Sequence, residues 1–104
     1  MANPLAGEVA LVLDGQPRVM KLTLGALAEL EESLGADSIA ALLARLEGGE
    51  VSARDVMALI VAGLRGGGWP GRAAELVAAE IEGGPVEAAR LAALLVARAF
   101  GEVA

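Results

Sequence analysis

Two short apolar runs open the chain. They cover residues 8–13 and 17–22, and Asp14-Gly15 lies between them. This dipeptide suits a two-residue hairpin turn because both of its residues tolerate positive φ. The pattern therefore predicts an N-terminal β-hairpin.

The turn length also predicts the pairing of the two strands. With Asp14 and Gly15 as the loop, Leu13 faces Gln16, and Glu8 lies opposite Lys21, where we expect a solvated ion pair. One face of the hairpin then carries five apolar side chains: Val9, Leu11, Leu13, Met20 and Leu22. Because an isolated hairpin is only marginally stable in water, we expect this face to pack on helices.

Helical spacing of apolar residues, punctuated by glycines, follows the hairpin. It predicts four to five short helices, whose starts are Thr23, Asp37 or Ser38, Ser52, Pro70 and Pro85. Glycines at 35, 48, 66 and 83 end the first four, and the last runs to Phe100. Ser52 with Asp55 resembles a capping box, and the prolines suit a first helical turn.

The predicted fold is an α+β domain in which the hairpin packs on this small bundle, and residues 1–104 form one domain. The last segment, 86–100, is apolar nearly all round, which is typical of a central helix or one shared with another chain. We expect the hairpin face to contact these helical side chains: Leu27, Leu30, Leu59, Ile60, Leu94 and Leu95.

Composition narrows the classes of partner. The 104 residues include 8 basic and 14 acidic side chains, so the formal charge is −6. Nucleic acid and anionic membranes are therefore poor partners. The longest uncharged stretch in a helical pattern, 56–64, is far shorter than the roughly 20 residues of a membrane span. Residues 1–7 do not resemble a signal peptide, which favours the cytoplasm.

Candidate chemistry is sparse. The chain contains no His, Cys or Tyr, which excludes an imidazole base and a thiolate ligand or nucleophile. Its hydroxyls are those of Thr23, Ser33, Ser38 and Ser52, and three of them stand at predicted helix starts, where capping explains them. The carboxylates are typical of a solvated acidic surface. We therefore predict no catalytic residue, metal site or cofactor, and a protein that is not an enzyme.

Apolar groups at exposed positions favour protein binding instead. Val12 and Val19 lie on the outer face of the predicted hairpin, whose edges leave backbone groups unpaired, and strand addition or self-association would satisfy them. Trp69, in a predicted loop, either anchors a partner or covers one end of the core. The preceding Gly66-Gly67-Gly68 lacks the Lys-Ser/Thr of a phosphate loop, so we interpret it as a flexible joint.

The order of a short Asp-Gly hairpin, the segment LTLGALAELE at 22–31, the apolar run 56–64 and a Trp-bearing joint resembles one family. It is similar to the tail assembly chaperone-like proteins of gene transfer agents and siphophage-type particles. The resemblance implies a bacterial cytoplasmic, non-enzymatic factor that binds tape-measure and tail tube proteins. It also marks Glu29 and Glu31 as family-defining, and we include them among the partner-binding candidates. The alternatives are a structural component of the mature tail and a small regulator such as an antitoxin.

Overall fold

The computed structural model of the chain describes residues 2–35 and 37–101. Within these ranges a short 3-10 turn, Pro4–Ala6, precedes an antiparallel hairpin and five α-helices. The strands are β1 (Val9–Leu13) and β2 (Gln16–Met20). The helices are α1 (Leu24–Leu34), α2 (Ile39–Glu47), α3 (Ala53–Gly66), α4 (Ala73–Ala78) and α5 (Gly84–Ala99). This architecture confirms the predicted α+β class.

The hairpin has the predicted register. Leu13 pairs with Gln16 and Val9 with Met20, and both turn residues have positive φ, 51° at Asp14 and 76° at Gly15. All five side chains of the predicted inner face are at most 8% exposed: Val9, Leu11, Leu13, Met20 and Leu22. Burial of this face against the helices stabilises a hairpin that would be marginal by itself.

The ion pair expected between Glu8 and Lys21 is wrong. The Glu8 carboxylate instead accepts a hydrogen bond from the Asn3 backbone N–H at 2.8 Å. The backbone N–H of Lys21 donates to the backbone carbonyl of Gly63 on α3. The Glu8 carbonyl in turn accepts from the Arg98 guanidinium at 2.7 Å. The start of the hairpin is thus held by backbone contacts to helices rather than by a cross-strand charge pair.

Three hydroxyls cap helices as predicted. Thr23 Oγ1 accepts from Ala26 N at 3.1 Å, and Ser38 Oγ accepts from Ala41 N at 3.0 Å. The predicted capping box is present at α3, where Ser52 Oγ accepts from Asp55 N at 3.1 Å and the Asp55 carboxylate accepts from Ser52 N at 3.0 Å. These side chains satisfy N–H groups that the first helical turn leaves without a partner.

The fourth helix differs from the prediction. It begins after Arg72 rather than at Pro70 and ends at Ala78, because Ala79 adopts an extended conformation with ψ at 160°. Beyond it, Ile81 forms an antiparallel bridge with Leu13. The apolar spacing that predicted a helix through 81 is overridden by backbone pairing with β1, a tertiary contact that propensity does not contain.

Helix α3 fills the centre of the core, where it contacts α1, α4, α5 and β2. On the helices, six large side chains are at most 2% exposed: Leu30, Leu42, Leu59, Ile60, Leu64 and Leu95. Leu27 and Leu94, which the sequence predicts to be core residues, are only partly buried and pack against the outside of the core. On α5 the buried stripe consists of positions 88, 91, 92 and 95, while Val86 is 83% exposed, so this helix presents one buried face.

Candidate functional site

Within residues 2–35 and 37–101, no group of three or more Asp, Glu, His or Cys side chains is arranged to hold a metal ion. No helix in the same ranges is long and apolar enough to cross a membrane. The features that offer binding chemistry there are the hairpin, the loop that carries Trp69 and the surface between α1 and α3.

The outer edge of β1 is already occupied near the turn. The Val12 carbonyl accepts from Glu82 N at 3.0 Å, and the Asp14 N–H donates to the Glu80 carbonyl at 2.8 Å. The Asp14 carboxylate accepts in turn from Glu80 N at 2.8 Å. Asp14 therefore both makes the turn and binds the segment after α4, and this second role had no sequence signal. A partner strand cannot pair with β1 here unless that segment moves.

The edge of β2 is crowded by the end of α3. A Cβ atom on Gly66 would lie 1.9 Å from the Lys21 carbonyl oxygen, and one on Gly67 would lie 1.8 Å from the Val19 carbonyl oxygen. Only glycine permits so close an approach of helix to strand. For Gly66 and Gly67 the interpretation as a flexible joint is wrong, because both pack against the hairpin, whereas a Cβ atom on Gly68 would have no neighbour within 4 Å.

The predicted partner-binding residues lie at separate places. Val12 and Val19 are half-buried on the hairpin, and Glu29 and Glu31 are exposed on α1. Trp69 is half-buried against the core, and its ring lies over Gly71, where a Cβ atom would come within 2.2 Å of the ring. A role of these residues in binding stays a prediction.

Trp69 also borders a shallow cleft of about 470 Å³ beside the hairpin turn, together with Arg18, Gln16 and Glu75. Its ring thus covers one end of the core and still meets solvent on this side. Both interpretations of Trp69 offered by the sequence fit this position.

Arg65 connects three parts of the structure. Its guanidinium donates to Glu29 Oε1 at 2.6 Å and to Oε2 at 3.2 Å, and to the Gly71 carbonyl at 2.9 Å. The hydrogen bond from Arg65 lowers the pKa of the Glu29 carboxyl. Because 36 residues separate the two side chains, nothing in the local pattern indicates the pair. Glu29 therefore has a structural contact that its acidic surroundings in the sequence do not predict.

A second cleft, of about 440 Å³, lies between α1 and α3. Its apolar lining includes Leu30 of α1 and Met57, Ala58 and Val61 of α3. Charged side chains surround this lining: Glu29, Glu32, Arg54, Arg65 and Arg72. We call this feature the α1–α3 cleft. An apolar lining with a charged rim is typical of a surface that binds a protein segment.

One further ion pair is structural. The Arg45 guanidinium donates two hydrogen bonds to Asp55, each of 2.8 Å, and Asp55 is only 6% exposed. The hydrogen bonds from Arg45 lower the pKa of Asp55 to about 2, and those from Ser52 act in the same direction against the effect of burial. The pair links α2 to the start of α3.

Comparison with known proteins gives one family. A family model described as "Phage tail tube protein, GTA-gp10" matches residues 6–102. A search of curated proteins and a search of solved structures each found no match. The matched range includes the hairpin, all five helices of the described residues and the α1–α3 cleft.

Proposed function

Because the chain belongs to the phage tail tube protein, GTA-gp10, family, its function is tied to a phage-type tail, and we propose that it acts there as a non-enzymatic assembly chaperone. In this role it binds tape-measure and tail tube proteins in the bacterial cytoplasm while the tail is built. The family description itself names a tail tube protein and does not name a chaperone. The chaperone role is inferred from the resemblance together with the surface.

The distribution of exposed apolar side chains supports a transient role. The large ones among the described residues do not form the face of one element, since they belong to the 3-10 turn, α1, α4 and the two ends of α5: Leu5, Leu24, Val77, Val86 and Phe100. A permanent tube subunit needs extensive contacts, and obligate interfaces of that kind resemble a domain core cut in half. A cleft with an apolar lining and a charged rim, such as the α1–α3 cleft, instead suits reversible binding of a segment.

The observation that carries the proposal is the α1–α3 cleft. Its apolar lining is accessible, whereas other parts of the same chain occupy the edge of β1 near the turn and approach β2 beside the end of α3. Such a surface can bind a partner segment and release it unchanged, as an assembly factor must.

A structural component of the mature tail is the second candidate, and the family description favours it. In that role the same cleft would be filled permanently by a neighbouring subunit. The match to a tail family favours both candidates over a regulator such as an antitoxin.

Deletion of the gene tests the involvement in tails. We expect the deletion strain to lack complete tails by electron microscopy, and expression of the parent chain from a plasmid to restore them. Normal tails in the deletion strain would refute both candidates. Co-expression with tape-measure protein then tests binding directly, with Trp69→Ala and Val12→Lys as probes of the hairpin side.

A further inference from the structure

The α1–α3 cleft follows α3 far enough to accommodate about three turns of a partner helix. Arg54 and Arg65 line it at opposite ends of α3, and eleven residues of helix span about 16 Å, or three turns. Between them the lining is contributed by Met57, Ala58 and Val61, which are half-buried although they pack against the core. Small side chains such as Ala58 let another helix approach closely, and methionine adapts to the shape of an apolar partner.

The charges around the cleft are unevenly paired. Arg65 is held by Glu29 at 2.6 Å, and Arg45 and Arg90 elsewhere are also in ion pairs. Within the part of the chain that the structure describes, Arg54 and Arg72 form no ion pair, although both line this cleft. The rim carries three arginines against two glutamates, Glu29 and Glu32. Glu29 is paired with Arg65, so the cleft keeps a local excess of positive charge on a chain of net charge −6, and this excess favours a partner that brings carboxylates.

We propose that the α1–α3 cleft binds one amphipathic helix of a partner protein. The apolar stripe of that helix covers Met57, Ala58 and Val61, and acidic side chains along its flank pair with Arg54 and Arg72. Charge complementarity selects this occupant, because a basic flank would place like charges against the two arginines. The identification of the partner as a tail protein rests on the proposed function, whereas the chemistry of the occupant does not.

Two synthetic peptides test this chemistry. Both are alanine-based helices with the same leucine stripe; one carries glutamates along its flank and the other carries lysines at the same positions. We expect the glutamate peptide to bind more tightly by fluorescence anisotropy, and its addition to shift the NMR signals of Met57, Ala58 and Val61. Equal affinity for the lysine peptide, or shifts confined to the hairpin, would overturn the proposal.

Matched variants separate the cleft from general charge effects. Arg54→Glu and Arg72→Glu should each weaken the glutamate peptide at least about tenfold, since each replaces an attraction by a repulsion. Arg18→Glu makes the same change of charge at an exposed position of β2, beside the Trp69 cleft, and should change the affinity less than about twofold. Ala58→Trp should abolish binding by filling the lining, with thermal unfolding confirming that the variant folds. Equal effects at all three arginines would refute the site.

Two further outcomes locate any failure. Concentration-dependent shifts at Met57 and Val61 without peptide would show that a second copy fills the cleft, and would overturn the proposal. In co-expression, the Arg54→Glu variant should capture less tape-measure protein than the parent chain. Equal capture by the two chains would show that the cleft is not the site that binds the tail protein. Failure of the parent chain to capture that protein, with peptide binding intact, would instead refute the proposed function.

Discussion

The hairpin edge and the α1–α3 cleft are two surfaces that differ in what the rest of the chain does to them. The sequence favours the hairpin as the partner-binding surface, because a two-stranded sheet leaves backbone groups unpaired. In the structure Glu82 bonds to β1 and Glu80 bonds to Asp14 of the turn. Gly67 packs against β2, and Gly66 packs against Lys21 just after it. Between α1 and α3, by contrast, the chain leaves a cleft of about 440 Å³ with an apolar lining and a charged rim.

This difference shows that a local sequence pattern predicts a strand edge but does not predict which distant segment of the chain will pair with it. A strand edge is evident from a few adjacent residues. Its occupation depends on Glu80 bonding Asp14 across 66 residues of sequence. A cleft is harder still to predict, since neither of its two helices is unusual when considered alone.

The largest effect is expected in the core beneath the hairpin. Leu95 is fully buried, so Leu95→Ala should lower the free energy of unfolding by roughly 2–5 kcal/mol, the transfer and cavity cost of a buried leucine. Leu94, which the sequence predicts to be buried, is only partly buried, so Leu94→Ala should lower the free energy of unfolding clearly less than Leu95→Ala does. Chemical denaturation of both variants measures the difference. Equal losses would contradict the assignment of Leu95 rather than Leu94 to the core.

The closed edge of β2 is tested by adding one methyl group. Gly67→Ala places a Cβ atom 1.8 Å from the Val19 carbonyl oxygen, so the helix end must move, at a cost of roughly 1–3 kcal/mol. Gly25→Ala is the matched control, since its nearest contact is 3.9 Å away, and alanine in a helix should stabilise by up to about 1 kcal/mol. Thermal midpoints that fall for Gly67→Ala and rise for Gly25→Ala support the close packing. A neutral Gly67→Ala would mean that the edge is open.

Acid should weaken the link between α2 and α3. The pKa of Asp55 falls from its ordinary 3.8 to about 2 because Arg45 donates hydrogen bonds to its carboxylate. The lowered pKa stabilises the fold fully above pH 3.8, and this contribution of about 2 kcal/mol is lost as the pH falls from 3.8 to 2. Urea denaturation at several pH values should show this slope in the parent chain. Asp55→Asn should be less stable at neutral pH and lack that slope, and an identical pH profile would contradict the assignment.

The smallest effect is expected at the outer face of the hairpin. If the chain self-associates there, as its sequence predicts, Val12→Lys and Val19→Lys should shift any oligomer toward the monomer, since a dry contact cannot bury an unpaired ammonium. The shift should be modest, because both side chains are already half-buried and the neighbouring backbone edges are occupied. Sedimentation at tens of micromolar measures it. A strictly monomeric parent chain would refute self-association.

Local chemistry explains which parts of the fold were predictable. The Asp14-Gly15 turn, the register that follows from it and the caps at Thr23, Ser38 and Ser52 all depend on residues within a few positions of one another. The shortened α4, the Arg65 contacts and the pairing of Arg45 with Asp55 depend on distant segments, and the sequence pattern missed them.

The candidate site was predictable only in its parts. Glu29 was singled out as a family-defining residue, but its partner Arg65 was not, because the pair joins two helices. Arg54 and Arg72 carried no motif and became notable only when the structure placed both on one cleft. The arginine content of the chain offered no way to tell paired side chains from unpaired ones.

The proposed transient role in tail assembly is tested most directly by quantitative mass spectrometry of purified particles alongside the cells that produce them. The account predicts that the chain is abundant in cells during assembly and far below one copy per major tube subunit in mature particles. Stoichiometric presence in mature particles would contradict the chaperone role and establish the chain as a structural component of the tail.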